Sequence, residues 1–195
     1  MAEAQEDCAM TVRRLTITAM LAGTALIALP AWNPPDIRFI WNASASVPVG
    51  LYRILPGNNI DVTDIAVVLP PDDLADFLDQ RGYLPKGVPL LKRVLALGGT
   101  EVCRVASAII AYDMSYGRTL ERDSQGRPLP AWQGCRVLAD GEAFFLNWDS
   151  PDSFDSRYFG PLPITTVIGR AIPIWTIDDP NPHTDNDDNP ALNVP

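Results

Sequence analysis

Ser44 and Ser46 stand two residues apart in WNASASVPVGLYR, just past an apolar segment and just before a Pro-Val-Gly turn. A serine hydroxyl is a weak nucleophile until a base takes its proton, so the first question is which base the chain supplies. The sole histidine, His183, lies in an acid-rich C-terminal stretch, which argues against a Ser-His-Asp arrangement and removes the usual imidazole metal sites. With no CxxC pair, no GxGxxG and no GxxxxGK[ST] loop, the sequence asks for no metal and no cofactor. Only two lysines occur, Lys86 and Lys92. Lys86 sits in a Pro/Gly-rich approach, whereas Lys92 lies inside LLKRVLAL, the strongest strand candidate. Desolvation in such a strand lowers an amine's pKa, and a neutral amine can accept a serine proton. The plain alternatives are an outward lysine on an edge strand and two serines at a polar strand end.

The elements that must position these groups follow from composition and period. Residues 15–35 carry no charge and are preceded by Arg13 and Arg14. The apolar part, Leu15 to Trp32, is long enough to cross a bilayer as a helix that satisfies its own backbone. Basic residues before it favour a cytoplasmic N-terminus and place the rest of the chain on the far side. A cleaved signal peptide and a buried soluble helix are the competing readings. Short strands around Gly57, at Val67 to Leu69, Leu90 to Leu97, Val102 to Val105, Ile109 to Tyr112, Glu142 to Asn147 and Thr166 to Pro173 are separated by Gly/Pro turns. Leu74, Phe77 and Leu78 give Asp72 to Gln80 the apolar side of one short helix. Residues 117–134 read as an inserted loop or extended hairpin. The fold class is therefore mainly β: an irregular β-rich domain with a short helical insertion, after one N-terminal transmembrane helix. The domains are 1–14 cytoplasmic, 15–35 membrane anchor, 36–177 β-rich, and 178–195 a disordered acidic tail.

Net charge is −9, but the tail holds five of the aspartates, so residues 1–177 carry only −4. Without a basic surface, nucleic acid is excluded as a partner. Cys8 precedes the anchor and stays reduced in the cytoplasm. Cys103 and Cys135 both fall on the exported side, where a disulfide between them persists; two unpaired buried thiols are the alternative.

Three blocks, SASVPVGLYR, PLLKRVLALGGTEV and DSFDSRYFGPLP, occur in the order found in the serine-lysine signal peptidases. More narrowly, the chain resembles the TraF-type conjugative-transfer peptidases over most of Asn42 to Trp175, including RGYLPKGVPLLKRV and GRPLPAWQGC. The resemblance implies a signal-peptidase-like fold and a Ser/Lys dyad: Ser46 as nucleophile, Lys92 as general base, and an acyl-enzyme intermediate. It implies that the Ser44 hydroxyl and the Ser46 amide stabilise the oxyanion, that Ser153 orients the lysine, and that Asp155 and Arg157 brace the site. Val47, Val49 and Leu91 become candidate walls of shallow pockets for small side chains. The implied setting is the bacterial inner membrane, single-pass, with the catalytic domain in the periplasm. The implied partners are the lipid bilayer, an exported preprotein or pilin precursor, and the conjugation machinery. Two departures matter: Val47 replaces a common methionine, and NWDSPDSFDSRYFG lacks the Gly-Asp start and internal Asn-Arg pattern of the broader signature. General secretory processing and a noncatalytic envelope assembly role stand as the alternatives.

Overall fold

The structure, a computed structural model, describes residues 2–32 and 38–177. The acidic tail, His183 and the end of the apolar segment lie outside the described residues. The chain divides into two units, one ending at Ile37 and one beginning at Arg38.

The first unit is a single helix, α1 (Ala2–Trp32), longer than the charge-free segment alone predicts. Arg13 and Arg14 do not stop it, because arginine is a good helix former. Its window Val12–Leu29 has a mean hydropathy of 1.4 and none of it is buried, so by length and composition it is one candidate membrane span. Thr16, Thr18 and Thr24 each return their hydroxyl to the carbonyl four residues back at 2.9 Å, so these three donors are satisfied within the helix itself.

The second unit is built from two antiparallel sheets. In chain order its elements are β1 (Phe39–Asn42), β2 (Gly50–Pro56), β3 (Ile65–Val68), α2 (Asp72–Gln80), β4 (Leu90–Leu97), β5 (Glu101–Val105), β6 (Ala108–Ala111), β7 (Met114–Arg118), β8 (Gly134–Val137), β9 (Glu142–Phe145), α3 (Ser156–Phe159), β10 (Leu162–Pro163) and β11 (Val167–Thr176). The larger sheet runs β1-β2-β11-β3-β4-β9-β10 and the smaller β7-β6-β5-β8. The fold is thus mainly β with few short helices, as expected.

Strand β4 lies between β3 and β9 and contributes to three apolar clusters. Val94 joins Ala66, Val68 and Phe145; Leu95 and Ala96 join Val102, Ile109 and Phe144; Leu91 joins Val47, Tyr52 and Val67. Phe144 and Phe145, adjacent in β9, enter different clusters because strand side chains alternate, and each buried ring contributes about 1.5–3 kcal/mol. The helix α2 has Asp72 and Asp73 in its first turn, opposite the positive end of its dipole, and stops before Gly82 at φ +67°. Strand β11 runs through Pro173 to Thr176, in line with a late strand ending near Trp175. A register shift just after Pro173 leaves Ile174 as the extra residue between the pairs Pro173–Tyr52 and Trp175–Leu51. Residues 119–133 form the expected extended loop, closed by a bridge between Arg122 and Pro128.

Candidate active site

Ser44 and Ser46 lie on the tip of the β1–β2 hairpin, in the stretch between the pairs Asn42–Gly50 at its base. Their hydroxyl oxygens are 2.9 Å apart. Tyr52, inside β2, donates its hydroxyl to the Pro48 carbonyl at 2.6 Å and so ties the far arm of the tip to the sheet. Among the described residues no acceptor is paired with the Ser46 backbone N–H, which leaves that donor available to an incoming oxygen.

Lys92 occupies the middle of β4, opposite Ala66 of β3, and is only 4% exposed. Its Nζ donates to Ser153 Oγ at 2.7 Å. Among the described residues no carboxylate lies within ion-pairing distance of it. Burial pushes the amine down to about 8 against a partial upward pull from Asp155, and Arg157 adds to the depression. Roughly a tenth of such an amine is neutral at pH 7. Lys86 is the opposite case: exposed, bonded to Asp76, and held above the ordinary lysine value by that bond. The two lysines that the sequence offers are therefore separated by environment.

The turn carrying Ser153 is fixed from both sides. Asp155 and Arg157 form a buried two-pronged pair, Nε to Oδ1 and Nη2 to Oδ2 each at 2.8 Å. Arg157 also donates to the Ser150 and Ser153 carbonyls at 2.7 and 3.1 Å, so the cation shapes the turn directly. Phe154 stacks on Tyr158 with centroids 5.3 Å apart and on Phe77 of α2 at 5.5 Å, which docks the helical insertion against the same turn.

Two asparagines carry weight that the sequence reading missed. Asn147 Oδ1 accepts from the Arg93 amide at 2.8 Å and its Nδ2 approaches the Leu91 carbonyl at 3.4 Å, so one side chain grips β4 on both sides of Lys92. Its backbone N–H reaches Asp155 Oδ2 at 3.1 Å. Asn42 does the corresponding work inside the hairpin tip. The only available signal was a polar residue a few positions ahead of each chemical block, which is too common to single out.

The structure thus joins Ser44 to Ser46 and Lys92 to Ser153; the hydrogen bond of Lys92 goes to Ser153 and not to Ser46. Val47 and Leu91 are buried in one apolar cluster, while Val49 is half-buried and takes the Ile177 amide on its carbonyl at 2.8 Å. An open cleft of about 560 Å³ abuts the tip at Pro48 and is lined there by Tyr52, Ile65, Ala171, Pro173 and Thr176. Cys103 and Cys135 face each other across β5 and β8 and are joined as a disulfide. Glu101 lies beside them, but oxidised sulfurs leave that cluster without thiolate ligands.

The described residues thus hold two antiparallel sheets, a desolvated lysine inside the larger one, a serine pair on a hairpin tip and, as a separate unit, an apolar N-terminal helix. A family model described as signal peptidase, peptidase S26, matches residues 9–176. The conjugal transfer protein TraF of Agrobacterium fabrum is 34% identical over 149 residues, spanning 70% of this chain and 82% of that relative. The probable conjugal transfer protein TraF of Sinorhizobium fredii is 31% identical over 182 residues, spanning 86% and 95%. A solved signal peptidase I from Enterococcus faecalis matches 57% of this chain and 96% of its own with 20% identity and a TM-score of 0.34. The chain belongs to the peptidase S26 signal peptidase family and, within it, to the TraF-type conjugal transfer proteins.

Proposed function

We propose that the chain is a single-pass serine endopeptidase of the bacterial inner membrane that matures an exported conjugation precursor, such as a pilin precursor, at the periplasmic face. In this reading Lys92, neutral, takes the Ser46 proton as Oγ attacks the scissile carbonyl, and the carbon–nitrogen bond breaks as the proton passes to the leaving amine. The Ser46 amide and the Ser44 hydroxyl donate to the developing oxyanion. Water, or an amine of the same precursor, then releases the acyl group from Ser46. Ser153 holds the amine in place, Asp155 and Arg157 hold Ser153, and Val47, Val49 and Leu91 offer apolar walls for small residues ahead of the bond.

The observation that carries this reading is the state of Lys92: a side chain left only 4% exposed, its amine handed to a serine and not to a carboxylate, and lowered to about 8. A structural lysine would be paired or exposed, as Lys86 is. The TraF relatives bear conjugal-transfer names, which points to a transfer-system substrate in preference to the general secretory stream.

Full-length protein in detergent, mixed with a pilin precursor or an ordinary secretory precursor, provides the test, with product termini read by mass spectrometry. Wild type cuts the pilin precursor, and Ser46→Ala and Lys92→Ala, both folded, do not. Processing by either variant rejects the dyad, and cutting of the secretory precursor alone rejects the transfer assignment.

A further inference from the structure

The tip that carries Ser44 and Ser46 has no ladder of its own, since β1 stops at Asn42 and β2 resumes at Gly50. One buried amide fills its interior. Asn42 is 7% exposed. Its Nδ2 donates to the carbonyls of Ser44, Val47 and Pro48 at 2.7, 2.9 and 3.1 Å, so two hydrogens gather three acceptors around one point. Its Oδ1 accepts from both the amide and the hydroxyl of Ser44, each at 3.2 Å.

Proton counting gives this arrangement a direction. Ser44 has one hydroxyl proton and two neighbouring oxygens, Asn42 Oδ1 and Ser46 Oγ. Asn42 Oδ1 can only accept. With the Ser44 proton on Asn42, Ser46 donates to Ser44, and the resting chain runs from Ser46 through Ser44 to Asn42. During attack the Ser46 proton leaves for an amine, and Ser44 must turn its own proton from Asn42 to the oxyanion. Turning the Ser46 O–H from Ser44 toward the amine that takes its proton, and turning the Ser44 O–H from Asn42 toward the oxyanion, are each rotations about one Cβ–Oγ bond, useful only if the two oxygens keep their places. The carbonyl contacts of Asn42 hold the tip while its Oδ1 lets the hydroxyl go.

We propose that Asn42 is a positioning residue: it keeps the Ser44 hydroxyl beside Ser46 at rest and releases it toward the oxyanion in the transition state. This rests on the Ser46/Ser44 assignment made above. The amide suits the task because it both donates and accepts. Aspartate would set a carboxylate against three carbonyl oxygens, and leucine would leave those carbonyls without a donor.

A double-mutant cycle on the full-length protein in detergent, measuring kcat and KM for the processed precursor, decides the matter. Ser44→Ala lowers kcat on the order of a hundredfold as one oxyanion donor is lost. Asn42→Ala lowers kcat by about tenfold to thirtyfold through misplacement, with KM within about twofold. In the Ser44→Ala background the same change costs no more than about threefold, since the two act through one hydroxyl. Losses that multiply in full, or a loss carried by KM, overturn the proposal. If Asn42→Ala is not recovered folded, Asn42→Ser, whose hydroxyl is too short to reach the Pro48 carbonyl, takes its place in the cycle under the same criteria. Ser46→Ala is assayed alongside. An active Ser46→Ala rejects the peptidase reading itself, whereas an inactive one with multiplying losses rejects only the role of Asn42.

Discussion

Replacing Lys92 with methionine should abolish processing and make the protein more stable. The magnitude follows from the burial of the amine. An ordinary lysine titrates near 10.5 and Lys92 near 8, so keeping it protonated in the fold costs about 3 kcal/mol. Methionine is unbranched and only one heavy atom shorter, and it carries no charge to desolvate. Against the gain stands the lost hydrogen bond to Ser153, about 1 kcal/mol. The net is about 2 kcal/mol, or roughly 4–8 °C in Tm for a domain of this size. The pH dependence identifies the cause. Below pH 8 the amine is protonated in folded and unfolded chains alike, and the full cost stands. Between pH 8 and 10.5 the folded chain gives up the proton first, the unfolded chain binds more protons, and wild-type stability rises; above 10.5 the cost is gone. Thermal unfolding of wild type and Lys92→Met in the same detergent at pH 6.5, 8, 9.5 and 11 therefore gives an advantage that shrinks and, at pH 11, reverses by the roughly 1 kcal/mol of the lost hydrogen bond. A methionine variant no more stable at pH 6.5, or an advantage unchanged between pH 7 and 10.5, would refute the reasoning.

Three further outcomes follow from the site. Because the working form of Lys92 is the neutral one, kcat/KM for precursor cleavage rises tenfold per pH unit below about 8 and levels above it; a flat profile from pH 6 to 9 contradicts this. Asp155→Asn strips the buried Arg157 of its counter-charge and lowers stability by about 3–5 kcal/mol in urea unfolding, far more than an exposed pair such as Lys86–Asp76 would. Nonreducing mass analysis finds Cys103 and Cys135 cross-linked, and the paired Cys103→Ser, Cys135→Ser variant loses about 2–4 kcal/mol; two free thiols in the native chain would contradict the pairing.

Periodic patterns made much of the framework legible. LLKRVLAL gives β4 residue for residue, and the spacing of Leu74, Phe77 and Leu78 gives α2. EAFF reads as a strand covered on both sides because both of its phenylalanines are bulky and adjacent, and two different clusters receive them. Strands β1 and β8 were not legible. FIWN is four residues beside an apolar segment that dominates any local average, and GCRV is exposed along its whole length, with no period to read. Within the site, Lys92 stood out as one of only two lysines, inside an apolar strand, whereas Ser153, Asp155 and Arg157 were singled out only through the family resemblance. Asn42 and Asn147 did not stand out, because an asparagine that fastens backbone carbonyls and amides looks in sequence like any polar residue at a turn. Only the fold brings Leu91, Arg93 and Asp155 around Asn147.

The edge strand β8 has no buried residue of its own, and Leu138 just beyond it is the first side chain to enter the core. Its hold on β5 is a short ladder and one sulfur–sulfur bond. Reduction of that bond leaves β8 on its ladder alone, while the segment before it stays docked, the Trp132 ring against Phe144 and its indole N–H on the Ser156 carbonyl, so the sulfur bond guards one edge strand and not the whole excursion from residue 119.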